Sequence, residues 1–142
     1  MGKYTVNQRV ARFFWLPRDA RRKQPTPCWR LVGIWLSVLA IGAGFTATGW
    51  DAEFGGSYLM AVMLVLNAVD DIIGGVRHRW PAALAAVVVL PVASRLTGAV
   101  LPGSLDAAWA QTAAAAVGVT LGLAAAAAIT RIPLPDRLAG AR

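Results

Sequence analysis

A single cysteine, a single histidine and only seven acidic side chains occur among 142 residues. With Cys28 alone there is no internal disulfide, and the basic, Pro-containing stretch around it holds no second thiol for a metal site. His78 stands between Arg77 and Arg79 with no Cys or Glu beside it to complete a ligand set. The sequence also lacks a glycine-rich phosphate loop, HExxH or CxxC spacing, and a Ser-His-Asp arrangement. These absences argue against metal, cofactor and nucleophile chemistry, so the chain reads as non-enzymatic.

Charge is scarce as well. Charged residues make up 15% of the chain against 57% hydrophobic ones, and the mean hydropathy is +0.55. Ordinary soluble domains carry about 25% charged residues. A body this small has too much surface for its volume to hide so many apolar side chains from water, whereas lipid accepts them directly.

Crossing about 30 Å of hydrocarbon takes roughly 20 helical residues, each advancing 1.5 Å, with every backbone amide satisfied inside the segment. Four stretches have that length: Leu31 to Trp50, Ser57 to Val76, Pro81 to Leu101, and Ala107 to Thr130. The connections between them are too short for a folded domain, so consecutive helices are expected to be antiparallel neighbours. The expected fold class is therefore an all-α integral membrane protein of four antiparallel transmembrane helices. Residues 1–30 form a basic cytoplasmic segment, 31–130 the membrane domain, and 131–142 a basic tail. Pro81 falls in a first helical turn, where a missing N–H costs little, and Pro102-Gly103 closes the third span. Trp50, Trp80 and Trp109 fall at expected boundaries, where an indole buries its ring and keeps its N–H hydrated.

The net charge of +7 is unevenly placed. Eight of the fourteen basic residues precede residue 31: Lys3, Arg9, Arg12, Arg18, Arg21, Arg22, Lys23 and Arg30. Arg77 and Arg79 lie in the second connection, and Arg131, Arg137 and Arg142 in the tail, whereas the other two connections offer only Asp51, Glu53 and Asp106. Lys and Arg are retained on the cytoplasmic side, so this alternation predicts both termini in the cytoplasm of a bacterial inner membrane. A cleaved signal peptide fits poorly, because the apolar run exceeds the usual 7–15 residues of a signal core. Between Tyr4 and Leu16, Val6, Val10, Phe13 and Phe14 alternate with Arg9 and Arg12 before Pro17, which suits a short amphipathic helix on the inner membrane face. With Arg18 and the Arg21-Arg22-Lys23 run it forms a surface for anionic lipid headgroups. Nucleic acid is disfavoured as the partner, since the membrane already accounts for the charge.

Three features inside the spans invite function. Asn67, Asp70 and Asp71 lie in the second span near its cytoplasmic end, where an ionised carboxylate needs pairing or water. Adjacent aspartates diverge by about 100° on a helix, so one carboxylate can face the bundle while the other reaches toward Arg77 or Arg79; the alternative is that both snorkel to headgroup water or pair with that basic loop as structural anchors. Arg95, near the outer end of the third span and four residues beyond a kink-prone Pro91, is separated in depth from these acids and is expected to snorkel outward. In the fourth span Ala110, Ala114, Gly118, Gly122 and Ala126 recur every four residues, a strip of small side chains suited to close helix packing within the chain or with another copy.

Two functional expectations follow. One is a protein acting through self-association, as a homo-oligomer or as an accessory subunit of a membrane complex. The other is a conducting oligomer or a small ion- or proton-coupled transporter, in which Asn67, Asp70 and Asp71 meet water. In layout, with basic ends and little outside the bilayer, the chain resembles small holin-like lysis proteins, a resemblance that implies membrane permeabilisation. The Ala-, Gly- and Arg-rich composition suits a high-GC bacterial or phage genome.

Overall fold

The computed structural model describes residues 10, 14, 24–49, 55–76 and 78–132. Four helices follow one another: α1 (Cys28–Thr48), α2 (Gly55–Gly74), α3 (Arg79–Val100) and α4 (Ala107–Thr130). Each is long and apolar enough to span a membrane. Val10 and Phe14 are helical and exposed, but the basic segment with Arg9, Arg12, Arg18, Arg21, Arg22 and Lys23 lies outside the described residues.

The helix ends explain where the observed boundaries depart from the hydropathy reading. Pro27 is preset at φ −56°, and its carbonyl accepts the N–H groups of both Arg30 and Leu31, so α1 starts at Cys28 and carries Arg30 in its first turn. It stops at Gly49, whose φ of +62° is the left-handed conformation that ends many helices. Gly75 does the same for α2 at φ +72°: its N–H reaches the Ile72 carbonyl and that of Val76 reaches Asp71, the paired bonds of a Schellman motif. Asp106 opens α4 by accepting the N–H groups of Ala108 at 3.0 Å and Trp109 at 3.4 Å. An anionic cap there also complements the positive end of the helix dipole.

α4 is the most buried helix and α3 its principal neighbour. The packing surfaces are small-sided: Ala82, Ala86 and Ala93 are buried on α3, and Thr112, Ala114, Ala115, Gly118, Val119, Gly122 and Leu123 on α4. Larger side chains complete two adjoining core clusters. Val38 and Met60 meet Ala115 and Val119 in one, and Leu64 meets Ala86 and Leu123 in the other. Met60, 1% exposed, lies across the bare Cα of Gly42, where a Cβ would stand 2.8 Å from its Cγ. Pro91 sits within α3 without interrupting it and is exposed, so its ring stays out of the α3–α4 contact.

Three hydrogen-bonded levels tie α1 to α4. Arg131 bonds Thr26 at one end, the Trp35 indole N–H donates to Thr120 in the middle, and Thr46 shares a proton with Thr112 at the other end. Numbers rise along α1 as they fall along α4. Most remaining apolar side chains point outward, among them Leu36, Leu66, Leu84, Val88 and Leu96. Such a surface suits a lipid environment. Trp80 and Trp109 are partly exposed near helix ends, as interfacial indoles require, while Trp50 is outside the described residues.

Candidate polar site at one end of the bundle

The start of α1, the turn from α2 to α3 and the end of α4 gather at the same end of the bundle. There Thr26, Asn67, Asp71, Arg79, Thr130 and Arg131 line a cavity of about 30 Å³ floored by Ala82, Ala86 and Leu123. A cavity needs on the order of 10–15 Å³ of such space to hold one water, so this one accommodates little more than a water molecule.

Local geometry accounts for each polar group. Asp71 occupies the last turn of α2 and Asp70 immediately precedes it, where the helix dipole is negative and a carboxylate is disfavoured. The Schellman turn folds the chain back so that Arg79, in the first turn of α3, returns over this end. Its guanidinium Nη1 donates to the Ile72 carbonyl at 2.8 Å, placing positive charge where the dipole and the carboxylates need it. Arg131 closes the opposite wall by donating to the carbonyls of Ala127 at 2.9 Å and Thr26 at 2.8 Å, so one guanidinium caps α4 and straps it to the segment ahead of α1. Thr130, 7% exposed, turns its hydroxyl back onto Ala126 and Ala127.

The two aspartates diverge. Asp71 is half-buried and lines the cavity with Arg79, whereas Asp70 is exposed and lines an open groove of about 780 Å³ between α1 and α2 with Arg30, Ser37, Met63 and Asn67. Asn67 borders both spaces. Arg77 is outside the described residues.

The small-residue strip on α4 is packed inside the chain. A Cβ on Gly118 would stand 2.6 Å from the Leu90 carbonyl oxygen and collide with the Ser94 hydroxyl, and one on Gly122 would stand 3.3 Å from the Ala86 carbonyl oxygen. Ala114 is buried beside them, and half-buried Ala126 packs against the Leu64–Leu123 cluster. α4 thus lies directly on the backbone of α3. The matching α3 alanines were less visible in the sequence, because Pro91 and Arg95 interrupt their pattern. The Ser94 hydroxyl is buried against Gly118 with no hydrogen-bond partner among the described residues. Asp106 entered the sequence reading only as a loop acid, although its place one residue before an Ala-rich helix is an N-cap signal.

Arg95 lies at the other end, where it lines a groove of about 640 Å³ with Ser57, Tyr58 and Gln111. The apolar core clusters separate this groove from the Asp71 cavity. Among the described residues no group of three or more His, Cys, Asp or Glu side chains is placed to hold a metal ion. The arrangement around Asp71 is suited to holding helix ends together and to ordering water, but it offers no room for a substrate. No family model matches the chain, and no curated protein or solved structure matches it either.

Proposed function

We propose that this chain is a non-enzymatic membrane subunit that acts through association, with copies of itself or with another membrane protein, in a bacterial inner membrane. The observation that supports this reading best is the unequal use of the two aspartates. Asp71 is drawn into a small cavity with Arg79, while Asn67 and Asp70 stand on an open groove between α1 and α2. Polar side chains on the outer face of a membrane helix are costly in lipid and well placed for a protein neighbour. The small-residue strip is spent on α3, so association is assigned to the α1–α2 groove. Both termini are placed in the cytoplasm: the gathering of Thr26, Arg79 and Arg131 at one end fits the basic segment, the α2–α3 turn and the tail sharing one side.

A single copy is a poor conduit, because the buried cluster of Val38, Met60, Ala115 and Val119 lies between the two polar ends. A holin-like or transporting oligomer is the second reading. It is favoured by the exposure of Asp70, which an assembly would turn toward a shared interior.

Cysteine crosslinking in intact membranes tests the assignment. Ser37→Cys in a Cys28→Ser background is expected to give a dimer-sized product, and a cysteine at outward-facing Leu84 is not. Equal crosslinking at both positions would remove the groove as the interface. Membrane potential, followed in the same cells against an equally expressed inert four-span control, separates the two readings. Selective depolarisation that Asp70→Asn abolishes would replace the accessory role with conduction.

A further inference from the structure

Besides the buried Ser94 hydroxyl, the end of the bundle opposite the Asp71 cavity holds three polar side chains that bond no other described residue. Arg95 on α3, Ser57 on α2 and Gln111 on α4 line the groove of about 640 Å³, and none of their side chains bonds another described residue. Among the described residues no acid lines this groove. The one acid described at this end, Asp106, already accepts two backbone N–H groups at the start of α4, and Asp51 and Glu53 lie outside the described residues. Among the described residues Arg95 is also the lone basic residue at this end, since Arg30, Arg79 and Arg131 stand at the other.

Depth and shape limit what satisfies these groups. Arg95 lies five residues before the last residue of α3, or roughly 7–8 Å below the helix end at 1.5 Å per residue. Ser57 lies in the first turn of α2 and Gln111 at the start of the second turn of α4, so all three stand nearer the level of lipid headgroups than mid-membrane. Beside them lies Ala110, and below them the wall continues through Leu90 and Ala114, which give an apolar surface leading inward. The volume falls within the roughly 300–1,000 Å³ of small-molecule sites. A planar guanidinium matches two phosphate oxygens with a fork of N–H donors, and a hydroxyl and an amide supply further neutral donors.

We infer that this groove seats one anionic phospholipid, with its phosphate on Arg95 beside Ser57 and Gln111 and its acyl chain along Leu90, Ala110 and Ala114. The lipid completes the hydrogen bonding that the helices leave open. This differs from a basic surface that attracts headgroups diffusely, because one groove takes one lipid at fixed stoichiometry. It rests on the membrane-spanning fold alone and stands independently of the association proposed above.

Gly98 provides the reporter position, since it lines the groove and a Cβ there meets nothing within 4 Å. The full chain carrying Gly98→Cys and Cys28→Ser, labelled with an environment-sensitive fluorophore in neutral detergent, is titrated with phosphatidylglycerol. Saturable binding is expected. Loss of a charge-assisted phosphate contact in Arg95→Gln is expected to weaken it by about tenfold, and Arg95→Lys, which keeps the charge but loses the fork, by about threefold. Circular dichroism checks that each variant keeps its helices, and Gln111→Ala gives a second, smaller loss if Arg95→Gln does not fold. Arg131→Gln, at the other end, leaves the curve unchanged. Equal affinity in Arg95→Gln and the parent, equal affinity for phosphatidylcholine, or displacement by inorganic phosphate at the lipid's own concentration would each overturn the assignment, the last by showing a soluble-anion site.

Discussion

The two ends of this bundle treat their polar groups in opposite ways. At the Asp71 end the chain supplies its own partners: Arg79 returns to the Ile72 carbonyl, Arg131 ties Ala127 to Thr26, and Thr130 folds back on its helix. At the Arg95 end three helices bring Ser57, Arg95 and Gln111 to one groove without bonding them to described neighbours. The difference follows from what each end must do. The Asp71 end has carboxylates near the end of α2, against the helix dipole, and a returning cation offsets that cost. The Arg95 end carries no such conflict among the described residues, so its donors remain available to a component of the membrane.

The largest test of this comparison lies between the ends. Gly118→Leu forces a branched side chain into the Leu90 carbonyl, only 2.6 Å from where its Cβ would begin, and the α3–α4 contact has no flexible atom there to yield. A loss of at least about 3 kcal/mol is expected from such overpacking against backbone, read as a fall in the unfolding midpoint in mixed detergent. A wild-type midpoint would show that α3 and α4 do not meet along this strip.

A smaller effect separates the ends themselves. Arg131→Met removes a strap that bonds two carbonyls, and because the group is exposed the expected cost is about 1 kcal/mol. Arg95→Gln in neutral detergent is expected to change the midpoint by less than about 0.5 kcal/mol, as for a surface residue with no partner. Equal losses in the two variants would erase the contrast.

One expected change has the opposite sign. Ser94→Ala deletes a buried hydroxyl that lacks a partner, so removing its desolvation cost is expected to raise stability by up to about 1 kcal/mol. Destabilisation would mean that the hydroxyl is bonded, and Gly118 would then be needed for a polar contact rather than for close approach.

Much of this was legible from the residues themselves. The four spans, their lengths and their short connections follow from apolar runs of about 20 residues, because helix rise and bilayer thickness leave little freedom. Asp70 and Asp71 stood out by their cost in lipid, and the Gly118–Gly122 spacing stood out as a place of close approach. Their different fates were not legible. Adjacent positions diverge by about 100°, and only packing decides which faces inward; Asp71 went to the cavity because the Gly75 turn returns Arg79 to that side. The α3 residues that receive Gly118 and Gly122, Leu90 and Ser94 for the first and Ala86 and Leu90 for the second, were obscured, since they follow no spacing that stands out among the recurring alanines.

By itself, then, the sequence determined that this chain forms four apolar helices, where basic charge gathers, and which side chains are expensive in lipid; these are local properties of composition and helix geometry. Tertiary structure alone decided that the small-residue strip is consumed within the chain, that Arg131 rather than a neighbouring copy fastens α4 to the start of α1, and that Ser57, Arg95 and Gln111 share one groove. Those residues lie tens of positions apart, and in a medium as apolar as their own side chains they are brought together by shape complementarity and hydrogen bonding, neither of which a one-dimensional hydropathy pattern records.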